Sequence, residues 1–190
     1  MRYIVFCYKL PFSLEKFKVG SHKMFMQAMK FYSQKPTEDN NYEFIATVKP
    51  SSMLQSKFVK CIIPKNCDNV QQHSQLMWPV SRTQFTVPNR PSIGQALMIT
   101  VAVSDKLTNL PVEIQQVIQN NKCQKQYYDL VPTNFKDQTC VVYSLIQFEV
   151  NYFAKTIIQN AITTAITQIE LKNYEYIIKA SNEWENDTVQ

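Results

Sequence analysis

The chain has 190 residues, a length that suits one domain with a buried core. Its 45% apolar and 18% charged content excludes a disordered polyelectrolyte. The net charge of +5 comes from dispersed Lys and Arg residues. It is enough to favour anionic membrane surfaces, but without basic runs interleaved with aromatics nucleic acid is not an expected partner.

Glycine occurs twice, at Gly20 and Gly94, which removes phosphate loops of the GxxxxGK and GxGxxG kinds and the nucleotide chemistry that depends on them. The five cysteines (Cys7, Cys61, Cys67, Cys123, Cys140) form no CxxC pair, and only His22 and His73 could join them as ligands. Structural zinc sites usually show paired close spacings, so free thiols in a reducing compartment and no metal are expected. The apolar run near residue 5 is too short for a signal peptide. This predicts a chain on the cytosolic side of a membrane, or one entering an organelle without an obvious presequence.

In chain order, residues 3–10 (YIVFCYKL) predict a strand closed by Pro11. Phe17, Met24, Phe25, Ala28 and Met29 predict a helix within 14–31, firmest from Ser21 onward. Its methionines suit ordinary core filling and would also suit the wall of an acyl-chain cavity. Residues 35–41 are a polar turn. Strands are predicted at 42–49 and 58–63, with 65–75 as a loop in which His73 has no acid nearby in sequence. Further strands follow at 82–87, 97–103, 127–131 and 140–150, with a short helix at 111–119 opened by Pro111.

The fourteen residues 156–169 carry no charge, and Ile158, Ile162, Ala165, Ile166 and Ile169 recur at spacings of three and four. This predicts an amphipathic helix over 152–178, too polar to span a bilayer, whose stripe must lie on an apolar partner. Each large side chain so buried contributes roughly 1.5–3 kcal/mol. Short links between the strands favour antiparallel pairing, an α+β class and a long C-terminal helix laid on the sheet.

Several stretches resemble the phosphatidylinositol transfer proteins. FCYKLPFSLEKFKVGSHKMFMQAMKF is similar to the opening of that family, with its strand, Leu-Pro, acidic–aromatic pair and Val-Gly. Thr47-Val48-Lys49, followed by Leu54-Gln55-Ser56-Lys57, is similar to its Thr-x-Lys strand and Leu-Gln-Ser-Lys segment. Trp78-Pro79-Val80-Ser81-Arg82-Thr83 resembles Tyr-Pro-Tyr-Cys-Arg-Thr, and Tyr143-Ser144-Leu145 through Tyr152-Phe153 resembles the strand entering the family's Trp-Trp loop. The matches lie in order over nearly the whole chain, which is therefore read as a single domain, 1–190.

The resemblance implies a START-like, helix-grip lipid-transfer fold: a curved antiparallel sheet gripping one phospholipid in a cavity. It implies headgroup contacts from Thr47 and Lys49, a phosphate contact from Thr83, and Ser21 where the family has a phosphate-binding Gln. Gln75 would replace the headgroup Asn and Glu183 the C-terminal acidic ligand. Tyr152 and Phe153 would stand for the membrane-dipping Trp pair. The family's long loop after Asp129-Leu130 is mostly missing here, and its terminal lid helix has no counterpart in the sequence.

The implied function is phospholipid transfer between membranes by a cytoplasmic, peripherally bound carrier with no cofactor beyond its lipid. The alternative is a degenerate member serving as an accessory subunit of a larger complex on an organelle membrane such as the mitochondrial one. An enzyme is not expected, since no Ser/His/Asp pattern and no paired carboxylates on an apolar helix face occur.

Overall fold

A computed structural model describes residues 1–32, 42–48, 69–88, 94–104, 110, 112–119, 123–151 and 155–181. These residues form a mixed α+β fold around an open, mostly antiparallel seven-stranded sheet. The strands are β1 (Arg2–Leu10), β2 (Tyr42–Val48), β3 (Val70–Met77), β4 (Val80–Thr86), β5 (Gly94–Val103), β6 (Gln124–Asp129) and β7 (Cys140–Val150). The helices are α1 (Leu14–Tyr32), α2 (Val112–Gln119) and α3 (Lys155–Ser181).

Across the sheet the order is β2-β3-β4-β5-β7-β1-β6. Strands β2 to β5 form an antiparallel meander, and β7 continues it by pairing with β5. β1 is inserted between β7 and β6, antiparallel to the first and parallel to the second.

Two expectations are corrected. The segment 65–75 is not all loop, because β3 begins at Val70 and pairs with both β2 and β4. Its sequence, VQQHSQLM, hides the strand: the inward positions Ser74 and Leu76 are buried, yet only one of them is apolar. The sheet is also not wholly antiparallel. The strand–helix–strand passage β5-α2-β6 returns β6 in the direction of β5, and hence parallel to β1, as such crossovers do. The strand expected at 58–63 lies outside the described residues.

Alternation along the strands gives the sheet two unlike sides. The inner side carries α1 and α3, which pack with Ile4, Phe6, Tyr8, Leu10, Val142, Ile146 and Phe148. Ser13 starts α1: its side-chain oxygen accepts a 3.3 Å bond from the Lys16 amide, and its carbonyl accepts one from the Phe17 amide. The outer side is covered in part by α2, whose Ile114 is fully buried with Val5, Ile99, Val101 and Leu145.

Candidate lipid-facing groove

Under α1 and α3 the inner side changes character from one edge of the sheet to the other. On β1 and β7 it is buried and apolar apart from Ser144. β3 and β4 bury the hydroxyls of Ser74 and Thr83 there, and β5 is partly open. Ala96, Met98 and Thr100 face inward from β5, yet each remains half-buried, although β5 has strands on both sides. α3 shows the matching pattern. Ile158, Tyr174 and Ile177 are buried near its ends, whereas Ile162, Ala165 and Ile166 between them are half-buried. The inner side of β5 and the middle of α3 are thus both incompletely sealed, and this half-open strip of the inner side is the candidate groove.

Two hydrogen-bonded groups line the sheet side of this groove. Gln72 Nε2 donates to Ser74 Oγ at 2.9 Å, and Ser74 Oγ lies 3.0 Å from Thr83 Oγ1 across the β3–β4 pair. Thr100 Oγ1 lies 3.1 Å from Ser144 Oγ across β5–β7, and Ser144 is 3.4 Å from the Tyr174 hydroxyl of α3. Ser81 occupies the same cross-strand row as Thr100 and Ser144. Ser74, Thr83 and Ser144 are buried, and pairing meets the desolvation cost that each would otherwise carry. The threonines of α3 behave differently. Thr163 and Thr167 donate at 2.8 Å to the carbonyls one turn earlier, so their hydroxyls are used within the helix.

A line of aromatic contacts runs from β1's end through α1 to the β3–β4 turn. Phe12 stacks on Phe17, Phe17 meets Trp78, and His22 stands edge-on to both Trp78 and Tyr42. Trp78 sits in the β3–β4 turn beside a cis-Pro79. His22 Nε2 is buried without a hydrogen-bond partner among the described residues. Desolvation, and secondarily the nearby Lys18 charge, hold its pKa below the ordinary histidine value.

The residues singled out from the sequence do not all converge. Thr83 is buried on the inner side, and Ser21 is half-buried on α1, one turn beyond the buried Phe17. Thr47 and Gln75 lie on the outer side instead. On β2, Phe44 and Ala46 point inward, so Thr47 points out and is exposed. Gln75 alternates with the inward Ser74 and Leu76, and its Nε2 donates at 2.9 Å to Glu43. Lys49, Tyr152, Phe153 and Glu183 lie outside the described residues.

His73 is not a plain loop residue. It sits on β3, with Nε2 against Glu43 Oε1, and with Gln75 it lowers the Glu43 pKa. The acid was invisible in sequence because it lies on the neighbouring strand. Thr100, Ser144 and Tyr174 also escaped sequence reasoning. Their only signal was a pair of hydroxyl residues at inward positions of otherwise apolar strands.

Burial pushes the thiol of Cys140 up to about 12 and raises that of Cys7, which a hydrogen bond with Tyr143 partly offsets. The described residues contain no group of acidic, His and Cys side chains that could hold a metal ion. Among them no helix is long and apolar enough to cross a membrane. No protein-family model matches the chain, and no curated protein matches it in sequence.

Proposed function

We propose that the chain is a non-enzymatic lipid carrier that holds one phospholipid between its sheet and its helices and moves it between membranes. The observation that carries this reading is the half-open inner side of β5, where Met98 and Ala96 adjoin Thr100, together with the equally half-open centre of α3. Apolar walls with a few placed hydroxyls suit acyl chains joined to an oxygen-rich backbone. Exchange between bilayer and groove trades one apolar environment for another, so it is nearly neutral for the chains.

The START-like, helix-grip arrangement belongs to this proposal, as does the phosphatidylinositol transfer protein resemblance. Thr83 and Ser21 are its buried and half-buried polar residues, with Glu183 as a further headgroup ligand. Thr47 and Gln75 point to the other side and are left out of the headgroup set. Tyr152 and Phe153, just before α3, are the membrane contacts, assisted by the net charge of +5 on anionic bilayers.

Native mass spectrometry of the purified protein tests the reading, with denaturation and lipid identification to follow. One phospholipid per chain, together with movement of labelled phospholipid between vesicles, is the expected result. A monodisperse chain that stays empty and moves no lipid would retire the carrier. A fixed-ratio complex with larger proteins would then favour the accessory-subunit role.

A further inference from the structure

The hydroxyl chain Tyr174–Ser144–Thr100 runs from the buried underside of α3 to the half-open side of β5. Ser144 at its centre is fully buried and Tyr174 nearly so, whereas Thr100 reaches the groove. Each hydroxyl has one proton to give and two lone pairs to receive with. The phenol is the most acidic of the three and so the best donor. With Tyr174 donating to Ser144, the single Ser144 proton goes to Thr100, whose own proton is then left for the groove. Donation along such a row polarises each member in turn and strengthens the last donor.

We propose that Thr100 donates this proton to an acyl-ester carbonyl of the bound lipid, with Ser144 and Tyr174 as positioning residues behind it. The inference rests on the carrier reading above and adds to it the part of the lipid that is recognised. A carbonyl fits for two reasons. It accepts without having to donate, which matches a site whose next atom offers a proton. It is also neutral, which suits a hydroxyl flanked by the apolar Met98, Ala102 and Ile146. Ser81, beside Thr100 in the row, is placed to serve the second ester of a diacyl lipid.

The test compares two probes offered to the full chain from phosphatidylcholine vesicles: pyrene-labelled diacyl phosphatidylcholine, and the dialkyl-ether analogue, which has the same headgroup and chain length but no carbonyls. A neutral hydrogen bond of this kind is worth about three- to tenfold in binding. The wild-type chain should favour the ester by that factor, Thr100→Val should bind both probes equally, and Thr100→Ser should restore the preference. Tyr174→Phe should reduce it with the site otherwise filled.

Equal binding of ester and ether by the wild type overturns the proposal even if Thr100→Val fails to fold, and leaves the carrier reading standing. A preference that survives Thr100→Val also overturns it. If the wild type takes up neither probe, the carrier reading fails and this inference fails with it.

Discussion

Gly94 opens β5 directly against the backbone of Glu149: a Cβ built on Gly94 would sit 2.9 Å from the Glu149 carbonyl oxygen. Its register partner is Val150, the last residue of β7 before the chain turns toward α3. The obstruction is a carbonyl fixed in the sheet, which cannot swing aside as a side-chain tip would. Gly94→Ala should therefore destabilise the fold by about 1–3 kcal/mol, the usual scale for forcing atoms into a filled site. A urea titration of both proteins measures this, and an unchanged midpoint would show that the β5–β7 junction yields.

The bond between Ser74 and Thr83 predicts a non-additive pair. Thr83→Val removes one partner of a buried hydrogen bond and should cost about 1 kcal/mol. In the Ser74→Ala background the same change should cost much less, because no hydroxyl remains to be deprived. A double-mutant cycle from chemical denaturation gives the coupling directly. Additive losses would mean that the two hydroxyls do not depend on each other.

His22 predicts a pH dependence with a definite sign. Its folded pKa lies below the ordinary value of 6.5, with burial as the larger cause and Lys18 as the smaller. Between that lowered value and 6.5 the unfolded chain binds more protons than the folded one. Stability is thus fully present above 6.5 and falls as the pH drops through this window. In His22→Phe this part of the dependence should vanish. Denaturation midpoints at several pH values between about 5 and 8, the range of histidine titration, supply the comparison. Parallel pH profiles for the two proteins would remove His22 as the cause.

Cys140 should be chemically silent in the folded protein. Burial places its thiol near 12, so at pH 8 the reactive thiolate is about one part in ten thousand. Iodoacetamide labelling followed by peptide mapping should leave Cys140 unmodified until denaturant is added. Rapid native labelling of that cysteine would mean that the β7 end of the core opens readily.

The parts of the fold that could be read in the sequence are those where one physical signal dominates. β1 and β7 announce themselves by apolar, β-branched and aromatic runs, because both sides of those strands are covered over much of their length. β3 could not be read in that way. It is held by backbone pairing on two sides, and its inward Ser74 is made acceptable by Thr83, a residue of another strand. The same reason hid the Glu43–His73 contact and the row from Thr100 to Tyr174. Sequence spacing carries no record of which strands become neighbours. Thr83 is buried on the inner side and Thr47 is exposed on the outer one, a difference set by which face β2 and β4 turn to the helices and not carried by either short motif.

The insertion of β1 between β7 and β6 also fixes an order of events during synthesis. The meander β2 to β5 is made of successive antiparallel neighbours and can pair as it leaves the ribosome. β1 cannot take its place then, since Arg2 pairs with Phe148 and Ile4 with Gln124. β1, made before both of its partners, therefore waits with its apolar residues uncovered until β7 has been translated, and contacts this distant in sequence form slowly. Chaperone dependence of newly made chains should accordingly centre on Ile4, Phe6 and Tyr8, the very side chains that end up most deeply buried.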